Sequence, residues 1–167
     1  MIKRIFLFLA LSFLFSLSAH AGFGVQVDYN HFESPEGDVT FLEGGDFGLG
    51  ARSEFGTSTL ALVLSFDYYF PDGEIRDVNF YELNANLAFT FPVEGFRPYV
   101  GGGFGIARLS FDDSFFVDSA TETGVNILGG VKFGGGGVTP FVEARYVIYG
   151  DDEVFTNRFV LTGGILF

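Results

Sequence analysis

The chain has 167 residues, room for one domain and little else. Its formal charge of −12 argues against nucleic acid as a partner, because phosphate neutralisation needs clustered Lys and Arg. It has no cysteine, which excludes disulfides, thiolate metal sites, a Cys nucleophile and an acylated-Cys anchor. The composition is otherwise unusual: 48% hydrophobic with a mean hydropathy of +0.35, yet 24 glycines, 24 Phe, 7 Tyr and no Trp.

The N-terminus reads as a cleaved signal peptide over 1–21. Lys3 and Arg4 form a basic start, Ile5 to Leu17 an apolar run, and Ala19-His20-Ala21 a small-x-small cleavage pattern. The run is shorter than the roughly 20 apolar residues of a spanning helix. The expected mature chain, 22–167, has a charge of −14 once Lys3 and Arg4 are removed.

From Phe23 onward the pattern alternates with period two, the signature of strands with one apolar face. The first segment sets Phe23, Val25, Val27 and Tyr29 against Gly24, Gln26, Asp28 and Asn30. The second, over 46–52, sets Phe47, Leu49 and Ala51 against Asp46 and Arg52, and the third, over 60–68, sets Leu60, Leu62, Leu64 and Phe66 against Ser65 and Asp67. The fourth, over 81–91, is the cleanest: Tyr81, Leu83, Ala85, Leu87 and Phe89 against Glu82, Asn84, Asn86 and Ala88. Segments over 99–107, 124–133 and 141–148 follow, carrying Lys132, Glu143 and Arg145 on the polar side. The eighth, over 155–167, sets Phe159, Leu161, Ile165 and Phe167 against Arg158 and Thr162. Eight such segments predict an all-β fold: an eight-stranded antiparallel up-and-down barrel.

The alternation also predicts which side faces lipid. The apolar set is long and aliphatic with aromatics near the segment ends, as a lipid-facing wall requires. The other set is small, or charged with both signs, as a narrow interior requires if its ions are to pair and offset desolvation. Asp28, Arg52, Asp67, Glu82, Lys132, Glu143, Arg145 and Arg158 are therefore expected to form an ion network inside the barrel. Eight strands enclose a space that side chains fill, so a wide pore is not expected.

With a periplasmic start, the outer connections fall at about 32–45, 71–79, 112–122 and 150–154, and the inner ones at 53–58, 92–95 and 134–137. The outer group carries −4, −2, −4 and −3, nearly all of the mature charge. Long outer loops and short inner turns are the expected arrangement of a transmembrane barrel. Aromatics sort into two expected girdles. The outer one holds Tyr29, Phe32, Tyr68, Tyr69, Phe70, Phe80, Tyr81, Tyr146, Tyr149 and Phe155, and the inner one Phe23, Phe55, Phe89, Phe91, Phe96, Tyr99, Phe133 and Phe167.

RPYVGGGFGIAR (97–108), TPFVEARY (139–146) and the terminal Phe167 resemble the small eight-stranded outer-membrane barrels of Gram-negative bacteria, the OmpA-like, OmpX-like and opacity-type proteins. The resemblance implies residence in the outer membrane with both termini periplasmic, contact with membrane lipid and lipopolysaccharide, and recognition by the barrel-assembly machinery. Phe167, with Ile165 two residues before it, matches the C-terminal strand signal that this machinery reads. The resemblance also implies a structural or adhesin-like role through the acidic loops, with a host or matrix ligand, and no catalysis. A narrow ion channel is one alternative.

Another alternative is a lipid A-modifying enzyme, since some barrels of this kind use a His, a Ser and an acidic residue. The mature chain offers His31 and the pair Asp113-Ser114, with no diagnostic spacing. No cofactor motif is present: GGGFG (101–105) misses the G-x-G-x-x-G spacing and reads as small inward residues in a crowded barrel. SPEGD (34–38), PDGE (71–74) and GDDE (150–153) lack the spaced ligands of a calcium loop, so no metal is expected there. Arg108, near an outer strand end, is placed to meet a lipopolysaccharide phosphate.

Overall fold

A computed structural model describes residues 20–32, 45–70, 78–91, 93–111, 120–134, 137–150 and 157–167. They form eight strands: β1 (His20–Phe32), β2 (Gly45–Gly56), β3 (Leu60–Phe70), β4 (Val78–Thr90), β5 (Phe96–Phe111), β6 (Ala120–Phe133), β7 (Thr139–Ile148) and β8 (Arg158–Leu166). Each pairs antiparallel with its sequence neighbours, and β1 closes on β8, so the sheet is a closed barrel. Closure leaves no unpaired sheet edge, the condition for crossing a bilayer with strands. The strands have between 9 and 16 residues, enough to cross when tilted. No described helix is long and apolar enough to cross a membrane.

The seam is set by period-two register. Val25 lies opposite Ile165, Val27 opposite Gly163 and Asp28 opposite Thr162, so like faces meet like faces across β1 and β8. The backbone pairing extends past β8: Phe167 N–H donates to Phe23 C=O at 2.7 Å, and Phe23 N–H donates to Phe167 C=O at 3.3 Å.

The predicted orientation holds at every strand. The apolar set points outward and is exposed, with Phe104 at 65%, Leu83 and Ile127 at 57% and Val25 at 50%. The polar set points into the barrel and is buried. A water-soluble barrel has the opposite arrangement, so this is a transmembrane β-barrel. Outward aromatics pair near the strand ends, Tyr29 with Phe47 and Tyr68 with Phe70 at one end and Phe89 with Phe91 at the other, with ring centroids 5.0–5.3 Å apart.

Four aromatics assigned above to the girdles stand inside instead: Tyr69, Phe80, Tyr99 and Tyr149 are all buried. Parity decides this. Tyr69 is two residues from Asp67, Phe80 two from Glu82, and Tyr149 four from Arg145, so each shares the inward side of its neighbour. Phe32 and Phe155 have side chains outside the described residues.

The inner connections are short, at 57–59, 91–95 and 134–138. Gly134 has φ +77°, a left-handed conformation that a side chain disfavours, which explains a glycine where the chain reverses after β6. β2 runs to Gly56, taking in the first four residues of the expected turn at 53–58. The outer connections join strands across 33–44, 71–77, 112–119 and 149–157. The acidic stretches 34–38 and 71–74, most of 150–153 and the Asp113-Ser114 pair lie outside the described residues, as does 1–19 of the expected signal peptide. β1 begins at His20, two residues before the expected mature start, with His20 opposite Gly56.

Candidate functional site: the barrel interior

All eight residues expected in the ion network are buried inside the barrel. The structure divides them into two clusters, separated by amide side chains.

The first cluster centres on Glu82, which is fully buried on β4. Its carboxylate pairs with Arg158 from β8 and, at 3.2 Å, with Arg145 from β7. The Arg145 Nη2 also reaches Asp67 Oδ2 on β3 at 3.3 Å. Asn84 donates to Glu82 and to Asp67, each at 3.1 Å, and Ser65 donates to Asp67 at 3.0 Å. The Arg158 guanidinium lies over three rings, Phe80 at 4.9 Å, Tyr69 at 5.3 Å and Tyr149 at 5.7 Å. Such a cation is stabilised by ring faces in a desolvated site.

Asp28 belongs to this cluster without an ion pair among the described residues. The Thr162 hydroxyl donates to it across the β1–β8 seam, and Gln26 Nε2 approaches both its oxygens at 3.5 Å while donating to Asp67 at 2.7 Å. Hydrogen bonds therefore do for Asp28 what counter-charges do for its neighbours.

The second cluster centres on Arg52. Its Nη1 donates to Glu143 Oε2 at 2.7 Å and its Nε to Glu54 Oε1 at 3.0 Å. The Tyr99 hydroxyl donates to the same Glu143 oxygen at 2.8 Å, and Lys132 pairs with Glu54. Arg52 stacks over Phe141 at 4.6 Å. Between the clusters, Asn126 Nδ2 donates to Asn84 at 2.8 Å and to Asn86 at 3.0 Å.

Sequence reasoning missed Glu54. It fell in the expected turn at 53–58, yet the Arg52 parity carried two residues further along β2 would have placed it inside. A second omission is the apolar part of the interior. Tyr69, Phe80, Leu109, Val147, Tyr149 and Val160 pack as one buried group, and Val63, Ala88, Tyr99 and Leu128 as another. The interior therefore combines ion pairs with a small hydrophobic core.

The GGGFG stretch fits the crowding expected of it. A Cβ on Gly105 would come within 2.5 Å of Asn84 Oδ1 and 3.1 Å of Glu82 Oε1, so only hydrogen leaves room for the network at that point. His31 lies exposed at the outer end of β1, opposite Phe159 across the seam. Arg108 is exposed on the outward side of β5, directly opposite Tyr81. Among the described residues no three His, Asp or Glu side chains converge as a metal site.

No protein-family model and no curated protein matches the sequence. The fold does have solved counterparts. Neisserial surface protein A (NspA) superposes with a TM-score of 0.68 at 19% identity, covering 88% of this chain and 97% of that one. This is the fold of the small outer-membrane barrels. Ail, the attachment invasion locus protein of Yersinia pestis, gives a TM-score of 0.61 at 14% identity, covering 87% and 95%. A second Ail structure holds the heparin analogue sucrose octasulfate. The outer membrane enzyme PagL gives 0.56 at 16% identity, covering 86% and 97%. The architecture thus serves a surface protein, an attachment and invasion protein and an enzyme, and the fold alone does not choose among them.

Proposed function

We propose that the chain is a non-catalytic resident of the bacterial outer membrane, with both termini periplasmic, that acts at the cell surface through its acidic loops. The observation that carries this reading is the closed interior. Ion pairs, stacked rings and amides span the barrel from wall to wall, so the residues of the interior are engaged with one another rather than arranged around a substrate or a path. The functional surface is then the outer connections, where nearly all of the net negative charge is concentrated. Ail is seen with a polyanionic heparin analogue. The loop charge here has the opposite complementarity, so the ligand expected for this chain is cationic: a basic protein segment of a host or matrix surface. Arg108 adds one contact to a lipopolysaccharide phosphate at the membrane boundary.

Deleting 112–122 is expected to abolish binding to a Lys/Arg-rich peptide surface while the barrel still assembles; binding that survives this deletion, and is indifferent to salt, contradicts the loop assignment. The channel alternative is separated by single-channel recording in planar bilayers, where the closed interior predicts no resolved conductance steps. The enzyme alternative is separated by mass spectrometry of lipid A from cells with and without the protein, for which no mass difference is expected.

Ile165 and Phe167 are proposed to be the assembly signal. Both are outward-facing, and Phe167 is exposed at 62% while its backbone is paired to Phe23. An aromatic ring in that position is free to be read from the membrane side while the backbone completes the seam. Removing Phe167 is expected to lower the yield of folded, membrane-inserted protein in cells more than any single loop deletion. Refolding of the purified Phe167→Ala chain into detergent should be nearly unaffected, because this variant keeps the backbone pairing with Phe23 and loses only an outward-facing ring.

A further inference from the structure

The inner mouth of the barrel opens into a cavity of about 400 Å³ bounded by the β2–β3 turn and the starts of β5 and β7. Two cations and one carboxylate line it: Arg97 and Lys132, which occupy directly opposite positions of β5 and β6, and Glu54, which pairs with Lys132. Like charges placed directly across two strands destabilise the pair. The local carboxylates do not remove the conflict. Glu54 is shared by Lys132 and Arg52, and Glu143 is taken by Arg52 and the Tyr99 hydroxyl. Three cations therefore share two carboxylates, and Arg97 is the cation left without one among the described residues.

The Arg97 Nε is itself buried with no acceptor. A buried donor without an acceptor is costly enough that a ligand or solvent atom is expected to satisfy it. The same cavity is lined by the hydroxyl-bearing residues Ser58, Thr90 and Thr139. A guanidinium and an ammonium, outnumbering the one lining carboxylate, with hydroxyl-bearing side chains around a water-accessible space, are the chemistry that recognises a tetrahedral oxyanion.

We propose that this inner mouth is a phosphate-type oxyanion site, with Arg97 as its main ligand and Thr90 and Thr139 as supporting donors. The anion bridges Arg97 and Lys132 and cancels their repulsion, so binding stabilises the barrel. Its source is either free phosphate in the periplasm or the headgroup of an inner-leaflet phospholipid, which share the same chemistry at this depth. The site is independent of the acidic loops: it lies at the opposite end of the barrel and concerns the opposite sign of ligand charge.

The test uses the full mature chain folded in alkyl-maltoside micelles, which carry no phosphate, with inorganic phosphate titrated at constant ionic strength. Calorimetry is expected to show saturable one-to-one binding, and the midpoint of heat-induced mobility loss should rise with phosphate. Arg97→Gln is expected to weaken binding by about tenfold or more and to abolish the phosphate-dependent rise. Without phosphate, R97Q should be at least as heat-stable as the parent, because the like-charge pair is gone; a purely structural Arg97 would make it less stable. Thr139→Val, which removes only a hydroxyl, provides a milder second variant with an expected loss of about threefold. Repeating the titration in phosphatidylglycerol nanodiscs distinguishes the sources. Unchanged phosphate affinity identifies a soluble anion, and phosphate binding displaced by the lipid identifies a headgroup. Absence of saturable phosphate binding in micelles, or equal binding by the parent and R97Q, overturns the proposal.

Discussion

Replacing Glu82 by alanine is expected to lower the unfolding free energy of the barrel by about 3–5 kcal/mol, the cost of leaving buried charges without their partner. Glu82 is the shared acceptor of Arg145 and Arg158, and both guanidinium groups are buried. Removing the carboxylate leaves Arg145 with Asp67 and the Tyr69 hydroxyl, and takes a carboxylate partner from Arg158, which still lies over the faces of Phe80, Tyr69 and Tyr149. The substitution also strips an acceptor from Asn84. Urea titration of the vesicle-inserted protein measures the effect. Glu82→Gln keeps the shape and loses only the charge, and should fall between the parent and the alanine variant.

Glu143→Ala follows the same logic with a smaller loss, because Arg52 retains Glu54. Even so, it should lower the unfolding temperature more than any loop substitution. If Glu82→Ala and Glu143→Ala prove as well tolerated as loop changes, the network does not hold the barrel shut.

Arginine in place of Leu83 is expected to destabilise the inserted barrel by about 2–4 kcal/mol, the cost of a charge on the lipid face near the bilayer midplane. Leu83 is 57% exposed in the middle of β4, opposite Phe66 on one side and Ile106 on the other. In a water-soluble protein a charge at so exposed a position would shift stability by no more than about 0.5 kcal/mol. The magnitude therefore reports the solvent that this face meets. Depth adds an internal control: arginine at Phe91, just beyond the end of β4 near the inner boundary, should cost about 0–1 kcal/mol. Equal, small effects at both positions would contradict a lipid-facing wall.

Most of the fold was legible because period-two alternation is a local property. Leu83 and Glu82 are assigned to opposite faces by their positions in one strand, and no knowledge of β3 or β5 is needed. Where the reading departed from parity it failed. Tyr69 and Phe80 were assigned by their nearness to a strand end, although each stands two residues from an inward carboxylate. Glu54 was lost because the end of β2 depends on its pairing with β1 and β3, which extends the strand to Gly56.

The site was legible as a set of residues and not as a set of partners. Sequence identifies Arg52, Arg145 and Arg158 as inward cations. Which carboxylate each meets depends on the stagger with which the sheet closes, and this brings Arg52 from β2 to Glu143 of β7 across the barrel. Asp28 shows the same limit: its principal partner, Thr162, lies across the seam that only closure creates.

The central claim is that these strands form a closed barrel in a membrane, apolar side outward. It is tested most directly by the mobility of the unboiled protein on SDS gels, taken from an outer-membrane fraction. The account predicts that the band is recovered with the outer membrane and that the unheated form migrates differently from the boiled one, because a closed barrel resists SDS until heated. A protein recovered in the soluble periplasm, with identical mobility before and after boiling, would contradict it.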